Sequence, residues 1–129
     1  MKISSIDHIV LTVKSLEVMI EFYKSVLGME IEIFAENRVA LKFGNQKINL
    51  HEYGKEFKPK ALFPLPGSED LCFITKEKID VAMAHVERSG INIIEGPVSR
   101  TGATGKIISF YFRDPDANLI EVANYERST

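Results

Sequence analysis

This chain of 129 residues has one cysteine, no long apolar run and almost no charge imbalance. A single thiol cannot build a disulfide framework, which excludes a stapled secreted scaffold and fits a reducing cytoplasm. Lys, Glu or Asp interrupts every apolar stretch, so no transmembrane helix is expected. The N-terminus carries no secretory apolar region. A formal net charge of −2 argues against a nucleic-acid surface and against a polybasic membrane anchor. What is present is an ordinary globular composition, 45% hydrophobic, long enough for one domain with a real core. Cys72 lies in Leu71-Cys72-Phe73-Ile74 and reads as a buried free thiol.

Residues 3–13 are apolar and β-branched, which predicts a strand. Ser15 is a candidate N-cap, and Leu16, Met19, Ile20, Tyr23 and Leu27 recur at helical spacing until Gly28 ends the helix. Strands are expected at 29–34, 38–43 and 47–52, the last two joined by Gly44-Asn45. Residues 53–69 hold three prolines and two glycines and read as a linker. The pattern then restarts. A strand is expected at 70–75, a helix at 77–89 ended by Gly90, a strand at 91–94 and a polar loop at 96–105 containing Arg100. Strands at 106–113 and 119–125 follow, joined by the turn Asp114-Pro115-Asp116-Ala117-Asn118.

A shift of 62 positions carries Lys14 onto Lys76, Gly28 onto Gly90, Ile31 onto Ile93 and His8 onto Asp70. Aligned by their last strands, Asn49 falls on Glu121 and Tyr53 on Tyr125. Each half is therefore strand-helix-strand-strand-strand, with one polar residue from its first strand and one from its last. A repeated unit that cannot bury its face alone pairs with its copy. Two such sheets would enclose a cleft with His8, Asn49, Asp70 and Glu121 around its axis. A carboxylate in the apolar run Leu119-Ile120-Glu121-Val122 is costly unless something pairs with it.

These features together resemble the vicinal oxygen chelate superfamily, which includes glyoxalase I, extradiol dioxygenases, fosfomycin-resistance thiol transferases and bleomycin-resistance proteins. The resemblance is carried by Asp7-His8-Ile9-Val10-Leu11, the near-DPDGN turn at 114–118 and Leu119-Ile120-Glu121 after it. Lys47-Ile48-Asn49-Leu50-His51-Glu52 and Gly96-Pro97-Val98-Ser99-Arg100 look most like its glyoxalase-domain-containing protein 5 branch. The resemblance implies an α+β fold of two βαβββ modules forming a half-open mixed β-barrel cleft. Module 1 would span about 3–53, the linker 54–69 and module 2 70–126, as one domain that forms a homodimer.

It also implies a divalent metal (Zn, Ni, Mn or Fe) that chelates a small oxygen-rich substrate. The reaction would be of isomerase, lyase, thiol transferase or dioxygenase type. His8 and Glu121 match the family's ligand positions. Asn49 stands where a ligand is usual, and His51, one pleat along, is the better donor and the candidate third ligand. The plainer readings are a strand-end histidine for His51 and an ion pair with Arg113 or Lys47 for Glu121. Asp70 is a candidate base or a turn-capping carboxylate. Arg100 is a candidate clamp for a substrate carboxylate or phosphate, or a surface ion pair. Phe57, Phe63 and Leu65 would line the cleft mouth or a dimer contact. The alternative function is non-catalytic sequestration of a small molecule, as in bleomycin-resistance relatives.

Overall fold

The computed structural model describes residues 1–126. The chain divides into two compact units, Met1–Ser68 and a second that begins at Glu69. Each is a four-stranded mixed sheet with one helix, so the α+β class and the βαβββ repeat hold.

The first unit contains β1 (His8–Val13), α1 (Leu16–Ser25), β2 (Glu30–Phe34), β3 (Arg38–Phe43) and β4 (Gln46–Glu52). The strand order is β1-β4-β3-β2, with β1 parallel to β4 and the other pairs antiparallel. Ser15 caps α1, its hydroxyl accepting from the Val18 N–H at 3.3 Å. Met19 and Tyr23 on the inner face of α1 are fully buried, as are Leu11, Val13, Leu41 and Ile48 of the sheet. Gly28 closes the helix at φ 66°, a conformation that an L side chain adopts only under strain. The first strand is shorter than expected. Its partner β4 begins only at Gln46, so pairing starts with His8 beside Lys47, and Ile3 and Ile6 stay exposed.

The second unit contains β5 (Asp70–Ile74), α2 (Ile79–Arg88), β6 (Glu95–Thr101), β7 (Lys106–Arg113) and β8 (Leu119–Tyr125). The order β5-β8-β7-β6 repeats that of the first sheet. Phe110, Phe112 and Ile120 form the buried layer on one face. Two expectations are corrected here. Residues 91–94 are not a strand, and the polar segment with Arg100 is one. It forms the sheet edge, where Pro97 costs no ladder hydrogen bond, with a register shift between Glu95 and Val98. Cys72 is exposed rather than buried, because alternation along β5 turns Leu71 and Phe73 one way and Cys72 the other.

The β7–β8 turn is held by its own side chains. One Asp114 carboxylate oxygen accepts from the N–H groups of Asp116 and Asn118, and the other accepts from the Asn118 amide at 2.8 Å. The Asn118 side-chain oxygen Oδ1 in turn accepts from the Glu69 N–H at 2.9 Å. Asn118 thereby ties the start of β5 to the turn before β8, the two strands that carry Asp70 and Glu121.

Candidate functional site

Register decides which side chains share a face, because neighbours across a ladder point the same way. On the first sheet the face opposite α1 presents His8, Val10 and Thr12 from β1 and Lys47, Asn49 and His51 from β4. Arg38, Ala40 and Lys42 of β3 and Phe34, Glu32 and Glu30 of β2 continue it. On the second sheet the face opposite α2 presents Asp70 and Cys72 from β5 and Glu121 from β8. Tyr111 and Ser109 of β7 and Glu95 and Arg100 of β6 complete it. The repeat extends to the register. His8 stands beside Lys47, two residues before Asn49, and Asp70 stands beside Leu119, two residues before Glu121.

Within the first unit, His8 is exposed and its Nδ1 lies 2.8 Å from the Asp7 carboxylate. Asn49 is buried, and its side-chain oxygen has no hydrogen-bond partner. A buried orphan acceptor costs on the order of 1–3 kcal/mol. His51 sits beside Thr12, four residues along from the level of His8. That separation is about 13 Å along the strands, too far for both imidazoles to reach one metal ion within this sheet. Moreover, His51 already has a cationic neighbour. Arg38 Nη2 lies 3.4 Å from His51 Nε2. A guanidinium only donates, so Nε2 accepts and the ring proton belongs on Nδ1. Burial holds the His51 pKa below its ordinary value, the Arg38 charge lowers it further, and Glu56 opposes both. Phe57 meets the His51 ring edge-on at 5.6 Å.

Within the second unit, Glu121 pairs in register with Cys72 on one side and Tyr111 on the other. Partial burial pushes the Cys72 thiol up to about 11, and the Glu121 and Asp70 carboxylates add to the rise. Burial also raises Tyr111, with Glu121 adding to the rise and a hydrogen bond from Arg100 opposing it. Neither Asp70 nor Glu121 forms an ion pair among the described residues, so the plainer reading of Glu121 as half of an ion pair does not hold. Arg100 is engaged through all three of its nitrogens. Its Nε donates to the Tyr111 hydroxyl at 3.0 Å, Nη2 to Glu95 at 3.2 Å and Nη1 to the Ser99 carbonyl at 3.1 Å. Its guanidinium is a strut across the sheet edge rather than a free clamp. Among the described residues Arg38 has no carboxylate partner, and sequence reasoning missed it.

Among the described residues of the chain, no three His, Cys, Asp or Glu side chains gather closely enough to hold a metal. No helix among them is long and apolar enough to cross a membrane.

A family model described as the Glyoxalase/Bleomycin resistance protein/Dioxygenase superfamily matches residues 5–122. The virulence protein STM3117 of Salmonella typhimurium is 55% identical over 125 residues, covering 97% of this chain and 87% of that protein. The glyoxalase domain-containing protein RDO1 of Mycosarcoma maydis is 52% identical, covering 98% of this chain and 71% of that protein. Among solved structures, an integron cassette protein from the mobile metagenome of V. cholerae superposes with a TM-score of 0.96 at 58% identity, covering 98% of each chain.

Proposed function

Because this chain belongs to the Glyoxalase/Bleomycin resistance protein/Dioxygenase superfamily, we propose that it is a metal-dependent enzyme acting on a small oxygen-rich molecule. The observation that supports this reading is the matched register of two polar pairs, His8 with Asn49 and Asp70 with Glu121, one pair on each sheet. An imidazole, an amide oxygen and a carboxylate, from His8, Asn49 and Glu121, are donors that suit a hard divalent ion of the Mn²⁺ or Fe²⁺ kind. The orphaned Asn49 oxygen fits such a group. His8 and Glu121 are the principal ligands in this reading. His51 is not among them, since a cation beside Arg38 would be repelled.

When bound, the ion supplies Lewis-acid polarisation of a substrate carbonyl or hydroxyl. Asp70 then serves as the general base for an adjacent proton, its carboxylate being exposed and without an ion pair among the described residues. Tyr111, steadied by Arg100, places a protonated hydroxyl beside Glu121. The chain acts as a homodimer in this reading, and the exposed linker residues Leu62, Phe63 and Leu65 are its candidate apolar contact.

Metal analysis of tag-free protein tests the proposal. A stoichiometric divalent metal that is lost in His8→Ala and in Glu121→Ala is expected. A protein that stays metal-free after incubation with Mn²⁺, Fe²⁺, Ni²⁺ and Zn²⁺ would overturn it. The second reading, sequestration of a small molecule without chemistry, is favoured by Asn49 and Asp70 standing where imidazole or glutamate would bind metal more tightly. That reading requires the metal-free outcome together with retained ligand binding.

A further inference from the structure

On the first sheet, Arg38 is half-buried and lies over the ring of Phe57, its Cζ 4.7 Å from the centroid, and over that of Phe34 at 5.4 Å. Lys47 Nζ lies 3.8 Å from the same Phe34 ring. The hydrogen-bond partner of Arg38 is the His51 ring, which accepts at Nε2. These contacts orient the guanidinium without cancelling its charge.

Within this unit the described carboxylates near the face are engaged elsewhere or stand on its outer strand. Glu56 accepts from the Gly54 N–H at 2.8 Å and from Lys60 at 3.4 Å. Glu30 pairs in register with Lys42 and Glu32 with Ala40 on the outer strand. Among the described residues neither Arg38 nor Lys47 has a carboxylate partner. A half-buried guanidinium with unused donors and no carboxylate in direct contact among the described residues is costly, and an anion offsets that cost.

We propose that Arg38, oriented by His51 and supported by Lys47, binds the carboxylate or phosphate-type oxyanion of the substrate. This names the substrate class for the site described above and rests on that reading for its catalytic meaning. Arg38 is level with His51, and His51 is two residues, about 6.6 Å, along β4 from Asn49. The substrate therefore carries its negative charge roughly one pleat repeat away from the oxygen atoms presented to Asn49. Phe34 and Phe57 flank the guanidinium and favour a flat anion that accepts two parallel N–H bonds.

The test uses the whole chain stripped of metal, so that it does not depend on the metal reading. Glycolate and inorganic phosphate are titrated separately while the Arg Nε–Hε and His51 ring signals are followed by NMR. Saturable shifts at Arg38 and His51 with one or both probes are expected, and the tighter probe identifies the anion as carboxylate or phosphate. In Arg38→Gln the affinity falls about tenfold or more, Arg38→Lys recovers part of it, and Lys47→Gln costs about threefold. His8→Ala and Glu121→Ala keep the binding even where they abolish metal uptake. No saturable shift with either probe, or unchanged affinity in a folded Arg38→Gln, overturns the proposal.

Discussion

The two sheets share one topology and one register, yet their polar faces carry opposite electrostatics. The first holds cations, Arg38 and Lys47, that meet aromatic rings and a neutral imidazole instead of carboxylates. The second holds carboxylates, Asp70 and Glu121, that raise the thiol beside them, while its arginine is consumed by Glu95 and Tyr111. A duplicated scaffold thus leaves a spare positive charge in one copy and spare negative charges in the other. The copies also differ at the turn before the last strand. Gly44-Asn45 is a tight exposed turn, with Gly44 at φ 54°, whereas residues 114–118 form a buried hydrogen-bonded knot.

The largest expected effect comes from cutting that knot. Asn118→Ala removes the acceptor of the Glu69 N–H and a donor to Asp114, both in a fully buried position. The loss is about 3 kcal/mol, seen as a melting temperature lower by roughly 10 °C. Asn45→Ala, at the equivalent turn of the other sheet, changes stability by less than about 0.5 kcal/mol. Equal effects at the two positions would show that the turns are alike after all. Because the knot also fixes the strands of Asp70 and Glu121, Asn118→Ala should weaken any function of those carboxylates.

Cys72 reports the charge on the second face. Its pKa, pushed from an ordinary 9.0 to about 11, leaves about a hundredfold less thiolate at pH 8. Higher basicity makes each thiolate more nucleophilic, so iodoacetamide alkylation should be slower by roughly tenfold than for a small thiol of ordinary pKa. Glu121→Gln removes a neighbouring negative charge and should restore part of the rate. Burial, the larger cause, keeps the rest. A rate that is unchanged in Glu121→Gln would mean that the carboxylate does not act on the sulfur.

How far the sequence reveals this can be judged residue by residue. The periodic segments were legible, and β7 and β8 fall at 106–113 and 119–125 as expected, because apolar strands beside a polar turn signal locally. Ser15 and Gly28 marked the ends of α1 for the same reason. The Gly-Pro-Val-Ser-Arg run hid β6, since its composition reads as loop and only its place at the sheet edge makes Pro97 tolerable. Cys72 was misread from its apolar neighbours, although alternation alone would have turned it toward Glu121. Arg38 was invisible. Its meaning depends on a register partner thirteen residues away and a linker phenylalanine further on, and no local pattern encodes either.

A smaller effect belongs to the first sheet and to pH. The His51 pKa lies below its ordinary 6.5 through burial first and the Arg38 charge second. Between that lowered value and 6.5 the unfolded chain binds more protons than the folded one. Stability is therefore full above 6.5 and falls as the pH drops through this window. Thermal melts from pH 7 to pH 5 should show this loss, and Arg38→Gln should shrink it because one cause of the shift is gone. Bound oxyanion should shrink it as well, by partly cancelling the Arg38 charge. A loss that is unchanged in Arg38→Gln would leave burial as the sole cause and weaken the contrast between the two faces.

The smallest effect sharpens the contrast between the turns. Ala117 occupies φ 67° inside the β7–β8 knot, a left-handed conformation that costs an L residue roughly 1–2 kcal/mol. Its carbonyl accepts from Arg113 and its N–H donates to the Asp114 carbonyl, and neither bond needs the methyl group. Ala117→Gly relieves the strain but adds about 0.5–1 kcal/mol of chain entropy to lose on folding. The net gain should be about 0.5 kcal/mol, read as a rise of a few degrees in melting temperature. The same exchange at Ala35, which sits at φ 49° in the exposed β2–β3 turn, faces the same balance and should gain as much. If Ala117→Gly instead destabilises, the side-chain knot has already over-determined the turn, and the second sheet owes its rigid corner to Asp114 and Asn118 rather than to the residue between them.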